Sequence, residues 1–377
     1  MQNQLPVNIT ATALTTPLAI GVDENMQALL LGASGIQQLH DEQFSNFRLP
    51  LAAFDQNQIA AWQDRFNTYS RFDSLLLACA AQLKDKCTID LSSPEVAIIM
   101  STTKGNIELL DDVRHTEKCL LTYSANLLKD YFQNPNEPFI ISNACISGLS
   151  SILWAKRLLQ SNQFKHVVVI GCDVLTRFVI SGFNSFHALS KEPCRPFDSQ
   201  RNGINLGEAA AACILSAGDN VEGVEILSGL VSNDANHISG PSKTGEELAH
   251  CIQYALQSAN IQPTEIGFIS AHGTATVYND EMESKAFEIA GLTNIPVFSL
   301  KAHYGHTLGA AGVLETIISS ECLKKNIVLP SVNFESMGVS GNIQVNTHLL
   351  QKESRYAIKT GSGFGGCNAA LLLGINM

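Results

Sequence analysis

Short apolar runs recur along the chain and alternate with stretches of helical periodicity. Seven runs of five to nine residues stand out, covering residues 95–101, 138–142, 166–171, 208–216, 266–271, 296–300 and 367–375. Continuous apolar runs of this length are typical of strands that are covered on both faces of a sheet. Helical patterns lie between them, most clearly at 147–160, 244–259 and 309–325. This alternation predicts an α/β fold.

Two segments share one layout, which indicates an internal duplication. Residues 138–159, PFIISNACISGLSSILWAKRLL, and residues 296–318, PVFSLKAHYGHTLGAAGVLETII, each run from a proline through a short strand and a polar turn into a helix rich in small residues. A repeated unit predicts two similar halves, with the two polar turns at related ends of two similar sheets. The turn at 216–220 would divide the chain into residues 1–217 and 218–377.

Composition narrows the class of protein. The chain has 377 residues, 45% of them hydrophobic, and a net charge of −11. This is enough apolar material for a large core, and the acidic balance argues against nucleic acid or an anionic membrane as the main partner. Because no apolar run reaches the ~20 residues of a bilayer span and no secretory signal pattern is visible, we expect a cytoplasmic protein.

The ten cysteines form no C-x-x-C pair and lack histidines at zinc-site spacing. Neither a structural metal nor disulfides are therefore expected, and most of these thiols should be small buried side chains. Cys145 differs because it follows an apolar strand and precedes a helix that begins near Ser147. Free backbone N–H groups and the positive end of the helix dipole favour a thiolate there, which makes Cys145 a candidate nucleophile.

Two histidines occupy comparable junctions between a strand and a helix. His272 lies in ISAHGTATVYNDEMES, and His306 lies in SLKAHYGHTLGAAG. Since α/β sheets gather reactive groups at the carboxyl ends of their strands, Cys145, His272 and His306 are predicted to converge. Lys301, at the end of a strand, could pair with Glu283 or Glu315 near such a site.

A glycine-rich segment, GSGFGGCN at 361–368, precedes the last predicted strand. It lacks the Lys-Ser/Thr pair of a phosphate-binding loop. Glycines around Phe364 would let the ring swing, and the backbone N–H of Phe364 could form an oxyanion hole with that of Cys145.

Taken together, these motifs resemble the β-ketoacyl-acyl carrier protein synthases, elongating condensing enzymes of the thiolase fold. The resemblance runs from residues 9–36 through NACISG at 143–148, and on through the segments at 194–215, 271–284, 301–315 and 363–373. It implies two duplicated halves, each with a mixed, mostly parallel sheet, in five layers ordered α-β-α-β-α. It also implies a decarboxylative Claisen condensation in fatty-acid or specialised polyene or polyketide synthesis.

The resemblance assigns roles to individual residues. Cys145 would carry the acyl chain as a thioester, while His272 and His306 would serve malonyl decarboxylation and stabilise the enolate. Lys301 matches the family's site lysine. The remaining matches are Glu283, Glu315 and Asp280 as supporting acids, Thr274 and Thr276 as contacts of the phosphopantetheine arm, and Phe364 as the gate. Ser362 departs from the pattern, because these enzymes often carry an aromatic residue there.

The expected partners also follow from the resemblance. An acyl carrier protein would deliver substrates on its phosphopantetheine, with no metal or separate cofactor, and the enzyme would be a homodimer or a heterodimer with a related subunit. Because the chain and the carrier are both acidic, docking needs a local basic patch, for which Arg65, Arg71 and Arg201 are candidates.

Two other functions remain open. A non-catalytic chain-length partner of a ketosynthase would have the same fold but typically lacks the cysteine. A thiolase acting on coenzyme A thioesters would need a second catalytic cysteine near the C-terminus, at a position here closer to Ser362 than to Cys367.

Overall fold

The computed structural model describes residues 5–41, 44–110, 113–219, 221–234 and 240–375. Its strands are β1 Val7–Thr15, β2 Gln37–Leu39, β3 Leu49–Ala52, β4 Val96–Ser101, β5 Phe139–Ile141, β6 His166–Asp173, β7 Leu206–Gly207, β8 Ala209–Ala217, β9 Val224–Asn233, β10 Ile266–Ser270, β11 Pro296–Phe298, β12 Ile327–Val328, β13 Gln344–Val345, β14 Leu350–Gln351, β15 Tyr356–Gly363 and β16 Cys367–Gly374. Its α-helices are α1 Val22–Leu30, α2 Gln56–Phe66, α3 Arg71–Lys86, α4 Leu121–Phe132, α5 Ser147–Gln160, α6 Arg177–Ser185, α7 Glu246–Ala259, α8 Val277–Ile289, α9 Lys301–Tyr304 and α10 Ala311–Lys324.

The strand order repeats from one half of the chain to the other. In the first half the strands lie in the order β1-β8-β6-β4-β5, and in the second half in the order β9-β16-β15-β10-β11, to which β13 adds an edge. Numbered within its own half, each set reads 1-5-4-2-3. Four of the five strands in each set point the same way: the single reversed strand is β8 in the first set and β16 in the second, and the remaining neighbours within each set pair in parallel. The predicted duplication and the mixed, mostly parallel sheets are confirmed.

The two sets are joined by a short antiparallel contact between β1 and β9, at Asn8 with Glu225 and Ile9 with Val224. Hydrogen bonding through this contact joins the two sets and β13 into one sheet of eleven strands, while β12 pairs with β14 and β2, β3 and β7 form a third small sheet. The first set ends at Ala217, and the second begins at Val224. Asn220, in the turn predicted to divide the halves, lies outside the described residues.

Alternating side chains of the strands build separate cores on the two faces of each set. On β8, Ala211 and Cys213 face the cluster that contains α5 and α10, whereas Ala212 and Ile214 face the cluster that contains α3 and α4. On β16, Leu371 shares the α5 and α10 cluster, whereas its neighbours face α7 and α8. This period-2 division produces the five predicted layers, with α5 and α10 in the middle.

The central helices approach each other through glycines. A Cβ on Gly148 of α5 would lie 2.7 Å from the backbone nitrogen of Val313, and one on Gly312 of α10 would lie 2.4 Å from that of Leu149. The two helix backbones are therefore in direct contact, and no larger side chain fits between them. This contact sets the distance between the turns that precede the two helices.

All seven predicted strands are present, and the three predicted helices correspond to α5, α7 and α10. β1, β9 and β15 were not predicted, and they complete the two sets. Among the described residues no helix is long and apolar enough to cross a membrane.

The glycine contact generates a stability prediction. Gly312→Ala should lower the free energy of unfolding by about 1–3 kcal/mol, because the added methyl group would push two backbones apart. Denaturant unfolding followed by circular dichroism measures the change.

Gly182 of α6 provides the matched control, since a Cβ there would meet nothing within 4 Å. Gly182→Ala should leave stability unchanged or raise it by up to ~1 kcal/mol through helix propensity. Equal effects of the two substitutions would contradict the packing argument.

Candidate active site

Cys145, His272 and His306 line one pocket with a volume of about 430 Å³. Cys145 lies between β5 and α5, His272 between β10 and α8, and His306 between α9 and α10. Since β5 and β11 are the third strands of their sets, the cysteine and His306 follow equivalent strands of the duplicated fold. The wall also includes aromatic rings and hydroxyls, namely Phe183, Phe186, Phe364, Tyr278, Thr274 and Thr276.

The turn that carries Cys145 is tight and held by Ser147. Ala144 has a positive φ of 43°, an uncommon conformation for a residue with a side chain. The Ser147 hydroxyl accepts from the backbone N–H of Asn143 at 2.8 Å and donates to the carbonyl of Ala144 at 2.6 Å. Gly363 packs against this turn, where a Cβ would lie 3.0 Å from the Cys145 nitrogen. The sulfur therefore sits at a fixed point at the start of α5.

The electrostatics of the sulfur differ from the sequence prediction. Burial raises the pKa of the Cys145 thiol to about 11, against the lowering effects of the Lys104 and Lys301 ammonium groups and of the backbone N–H of Phe364. Desolvation outweighs these positive influences, so the thiol keeps its proton near pH 7 and the thiolate that the helix start was predicted to favour is not the resting form. The same N–H contact places the backbone donor of Phe364 beside the sulfur, as its proposed role in an oxyanion hole requires.

His306 is held by its backbone and offers one ring nitrogen to the pocket. Its N–H donates to the carbonyl of Asn205 at 2.7 Å, and its Nδ1 accepts from the N–H of Leu308 at 3.4 Å. Acceptance at Nδ1 places the ring proton on Nε2. Nε2 is buried and has no hydrogen-bond partner among the residues that the structure describes. A buried donor without a partner is costly in a folded protein, which marks this N–H as a group prepared for a ligand.

His272 is positioned through Glu283. The Glu283 carboxylate accepts from the backbone N–H groups of His272 and Gly273, each at 2.7 Å, and from the Thr360 hydroxyl at 2.6 Å. The rings of His272 and His306 meet edge to face with centroids 5.1 Å apart. Burial, followed by the charge of Lys301, lowers the pKa of both imidazoles well below the ordinary value, so both are neutral near pH 7.

Glu315 lies between two lysines, and only one of them was predicted. Lys301 forms a buried ion pair with Glu315 Oε1, and Lys359 Nζ lies 2.6 Å from Oε2. Of the two acids considered for Lys301, Glu315 is its partner in the structure, whereas Glu283 binds backbone groups. The two ammonium charges hold the pKa of Glu315 below its ordinary value despite burial.

Asp280 and Asp173 are fully buried acids that fix the surrounding loops. Asp280 accepts from the N–H of Phe197 at 2.7 Å and from that of Ala275 at 3.2 Å, and burial raises its pKa to about 7. Asp173, which was not predicted, accepts from the N–H of Gly309 at 2.7 Å and from the hydroxyl of Thr102 at 2.9 Å. These bonds connect the loops of both halves around the pocket.

The outer part of the pocket carries the predicted gate and hydroxyl pair. The ring of Phe364 is 37% exposed and lies 5.4 Å from the rings of both Phe183 and Phe186. Gly365 and Gly366, which follow Phe364, both have positive φ, a conformation that glycine adopts without strain. The hydroxyls of Thr274 and Thr276 are hydrogen bonded to each other at 2.9 Å.

The three arginines predicted to bind a carrier protein differ in their exposure to solvent. Arg71 is wrong as a docking residue: it is 3% exposed and its Nε lies 2.5 Å from Glu208 Oε1. Arg201 is half-buried, and Nη1 donates to the carbonyls of Asp198 and Gly338. Arg65 is exposed on α2 and stacks 5.0 Å from the ring of Phe66. Arg65 thus has the exposure that docking requires, and Arg201 has it in part.

The raised pKa of the partly exposed Cys145 thiol generates a prediction on its reactivity. Alkylation of Cys145 by iodoacetamide should accelerate about tenfold per pH unit up to pH 10 without levelling off, because the thiolate reacts and the thiol pKa is about 11. Peptide mass spectrometry follows Cys145 separately from the other cysteines.

Lys104→Met should slow this alkylation further, since Lys104 is the largest of the groups that lower the thiol pKa. If the rate instead levelled off near the ordinary thiol pKa of about 8.5, burial would not be the main influence on the pKa of Cys145.

Comparisons with known proteins identify the family of this chain. Family models match the β-ketoacyl synthase N-terminal domain at residues 125–220 and the C-terminal domain at residues 224–335, together more than half of the chain. The 3-oxoacyl-[acyl-carrier-protein] synthase 2 of Vibrio harveyi is 28% identical over 97% of both chains. A ketosynthase in complex with its chain length factor from Xenorhabdus doucetiae is similar with 27% identity and a TM-score of 0.88, over 100% of this chain and 99% of that one. The chain therefore belongs to the β-ketoacyl synthase family.

Proposed function

We propose that this protein is an elongating 3-oxoacyl-acyl carrier protein synthase, an acyltransferase that extends an acyl chain by decarboxylative Claisen condensation. The observation that carries the proposal is the shared pocket of Cys145, His272 and His306, with the Phe364 N–H beside the sulfur. The curated relatives are named for this activity.

In the first step, the Cys145 sulfur attacks the carbonyl carbon of an acyl thioester carried on phosphopantetheine. A sulfur–carbon bond forms, the pantetheine sulfur leaves, and it takes up the proton that the thiol loses. The backbone N–H groups of Cys145 and Phe364 stabilise the negative oxygen of the tetrahedral intermediate. Because the resting thiol keeps its proton, the sulfur is protected from other electrophiles until a thioester is bound.

In the second step, malonyl thioester loses carbon dioxide at the two histidines. The bond between Cα and the carboxylate breaks, its electron pair moves onto Cα, and negative charge develops on the thioester oxygen. The Nε2–H of His306, which has no partner among the described residues, is a donor for that oxygen. The neutral imidazole can serve as this donor because its Nδ1 accepts a hydrogen bond, which leaves the ring proton on Nε2.

In the third step, the Cα carbanion attacks the acyl carbon on Cys145. A carbon–carbon bond forms, the sulfur–carbon bond breaks with its electron pair on sulfur, and the Cys145 thiolate takes up a proton from solvent. The product is a β-ketoacyl chain on the carrier. Thr274 and Thr276 provide hydroxyls for the amides of the pantetheine arm, and Phe364 would move to admit each substrate.

The partners follow from the same proposal. An acyl carrier protein delivers both substrates, and Arg65 and Arg201 are the remaining candidates for its docking. A solved relative is a ketosynthase bound to a chain length factor, which supports a heterodimer with a related subunit for this chain, while a homodimer remains the second arrangement. Activity without a metal or separate cofactor, and a cytoplasmic location, remain predictions.

The two other functions have less support. A non-catalytic chain-length partner would not need an accessible cysteine, yet here Cys145 lines the pocket with both histidines. A thiolase needs a second reactive cysteine at the site. Cys367 is 4% exposed, and burial raises its pKa to about 12. Among the described residues, Ser362 lines the pocket where a thiolase would need its second cysteine.

The acyl-transfer step can be tested by mass spectrometry of the intact protein. Incubation with an acyl-carrier protein should add the mass of the acyl group, and Cys145→Ala should abolish the adduct. Cys367→Ala is the matched control and should retain it. An adduct that persists in Cys145→Ala and disappears in Cys367→Ala would show that Cys367, and not Cys145, is the nucleophile.

The role of His306 can be tested separately. His306→Ala should slow release of carbon dioxide from malonyl-carrier protein by about 10²- to 10³-fold, the typical effect of losing one oxyanion donor, while acylation of Cys145 persists. His303 is the control, because it is buried in α9 and its Nδ1 is hydrogen bonded to the carbonyl of Ala33 at 2.7 Å. An equal loss in His303→Ala would assign the effect to local packing.

A further inference from the structure

A second buried lysine distinguishes the interior of this site. Lys359 is 1% exposed on β15, the strand that leads to Phe364. Its Nζ lies 2.6 Å from Glu315 Oε2, so Glu315 is shared between Lys359 and Lys301. Resting on the proposed function, we propose that Lys359 is a positioning residue for decarboxylation: its ammonium balances the buried carboxylates and fixes the strand end that presents His272.

The first part of the argument is charge balance. Glu283 and Glu315 are fully buried carboxylates, and with Lys301 alone they would leave a net negative charge behind the histidines. With Lys359 present, two lysines, Lys301 and Lys359, balance the two glutamates, Glu283 and Glu315. This matters because the substrate brings a malonyl carboxylate and the transition state moves its charge toward the thioester oxygen. An uncompensated carboxylate in a dry site would oppose both.

The second part is geometry. Besides Glu315, Lys359 Nζ donates to the carbonyls of Ser270 at 3.0 Å and Ala271 at 3.2 Å, the two residues immediately before His272. The next residue on β15, Thr360, accepts from the N–H of His272 at 3.3 Å and donates to Glu283. Lys359 and Thr360 together hold the end of β10 from one side.

The charged and titratable neighbours of the histidines fix the expected direction of a pH effect. Lys301, Lys359 and the other histidine face His272, while Lys301, Lys104 and Lys359 face His306. The carboxylates that pack around them are Glu283, Glu315, Asp280 and Asp173, and the thiol is Cys145. Burial and Lys301 lower both histidine pKa values most, and Lys359 lowers them further. Removing Lys359 should therefore raise both pKa values.

The test compares Lys359→Met with Lys352→Met. Lys352 is the matched control, because its Nζ also donates to a carbonyl of β10, that of Gly267 at 2.7 Å, but at the other end of the strand. For Lys359→Met, we expect kcat for malonyl decarboxylation at pH 7 to fall at least tenfold, with KM little changed. The acid limb of its pH profile should move to higher pH, because the neutral histidines are the active form. Lys352→Met should leave both unchanged.

Two further variants separate charge from packing. Lys359→Arg keeps the charge and should recover the acid limb. The double variant Lys359→Met with Glu315→Gln leaves Lys301 and Glu283 as a balanced pair, so it should also move the acid limb back toward that of the unmodified protein. A profile for Lys359→Met that matches Lys352→Met would overturn the proposal. So would a double variant whose acid limb lies as high as that of the single variant.

Titration of the histidine ring signals by NMR, without substrate, provides a readout independent of turnover. In Lys359→Met, His272 and His306 should titrate at higher pH than in the unmodified protein, and in Lys352→Met at the same pH. Unchanged titration in Lys359→Met would overturn the role of Lys359 even if the protein is an active synthase. Shifted titration in a protein that does not decarboxylate malonyl thioesters would instead refute the proposed function alone.

Discussion

The contact between α5 and α10 is the constraint on which the site depends. Gly148 and Gly312 allow the two helix backbones to touch in the middle layer. α5 begins two residues after Cys145, and a short 3-10 segment, Leu308–Ala310, connects His306 to α10. A larger residue at either glycine would separate the turns of Cys145 and His306 before it changed any catalytic atom. The duplicated fold therefore creates the site at the interface of its halves, where neither half alone contains the full set.

Desolvation is the second consequence of this packing, and it affects the thiol and the imidazoles differently. It raises the pKa of the Cys145 thiol, lowers those of the two imidazoles and makes every unpaired donor costly. Cysteine and histidines are thus neutral at rest, and charge appears only as the reaction proceeds. The permanent charges near these groups belong to Glu315, Lys301 and Lys359, and each lysine forms an ion pair with Glu315. In a medium of low dielectric this arrangement favours the anionic stages without first stabilising an ionised resting site.

The sequence predicted the strands that are continuously apolar and missed β15, whose buried side chains are partly polar. Continuous runs such as 166–171 are recognisable as strands because both faces meet hydrophobic layers. β15 resembles a loop in sequence, since Lys359, Thr360 and Ser362 interrupt it, yet all three side chains are buried and hydrogen bonded within the site. Local pattern rules fail where function requires buried polar groups. The convergence of Cys145, His272 and His306 on one pocket was predictable, because strand-to-helix turns are recognisable locally.

Arg71 shows the same limit from the other direction. An arginine at the start of a helix reads locally as a solvated residue, but Arg71 is paired with Glu208, which lies 137 positions away along the chain. Nothing within either segment indicates that pairing, because it exists only once β8 and α3 are packed together. Lys359 and Glu315 are likewise distant in sequence and belong to different layers. The charges that matter most here are the ones placed by topology, so only the folded chain identifies which lysine or arginine faces a partner inside and which faces water.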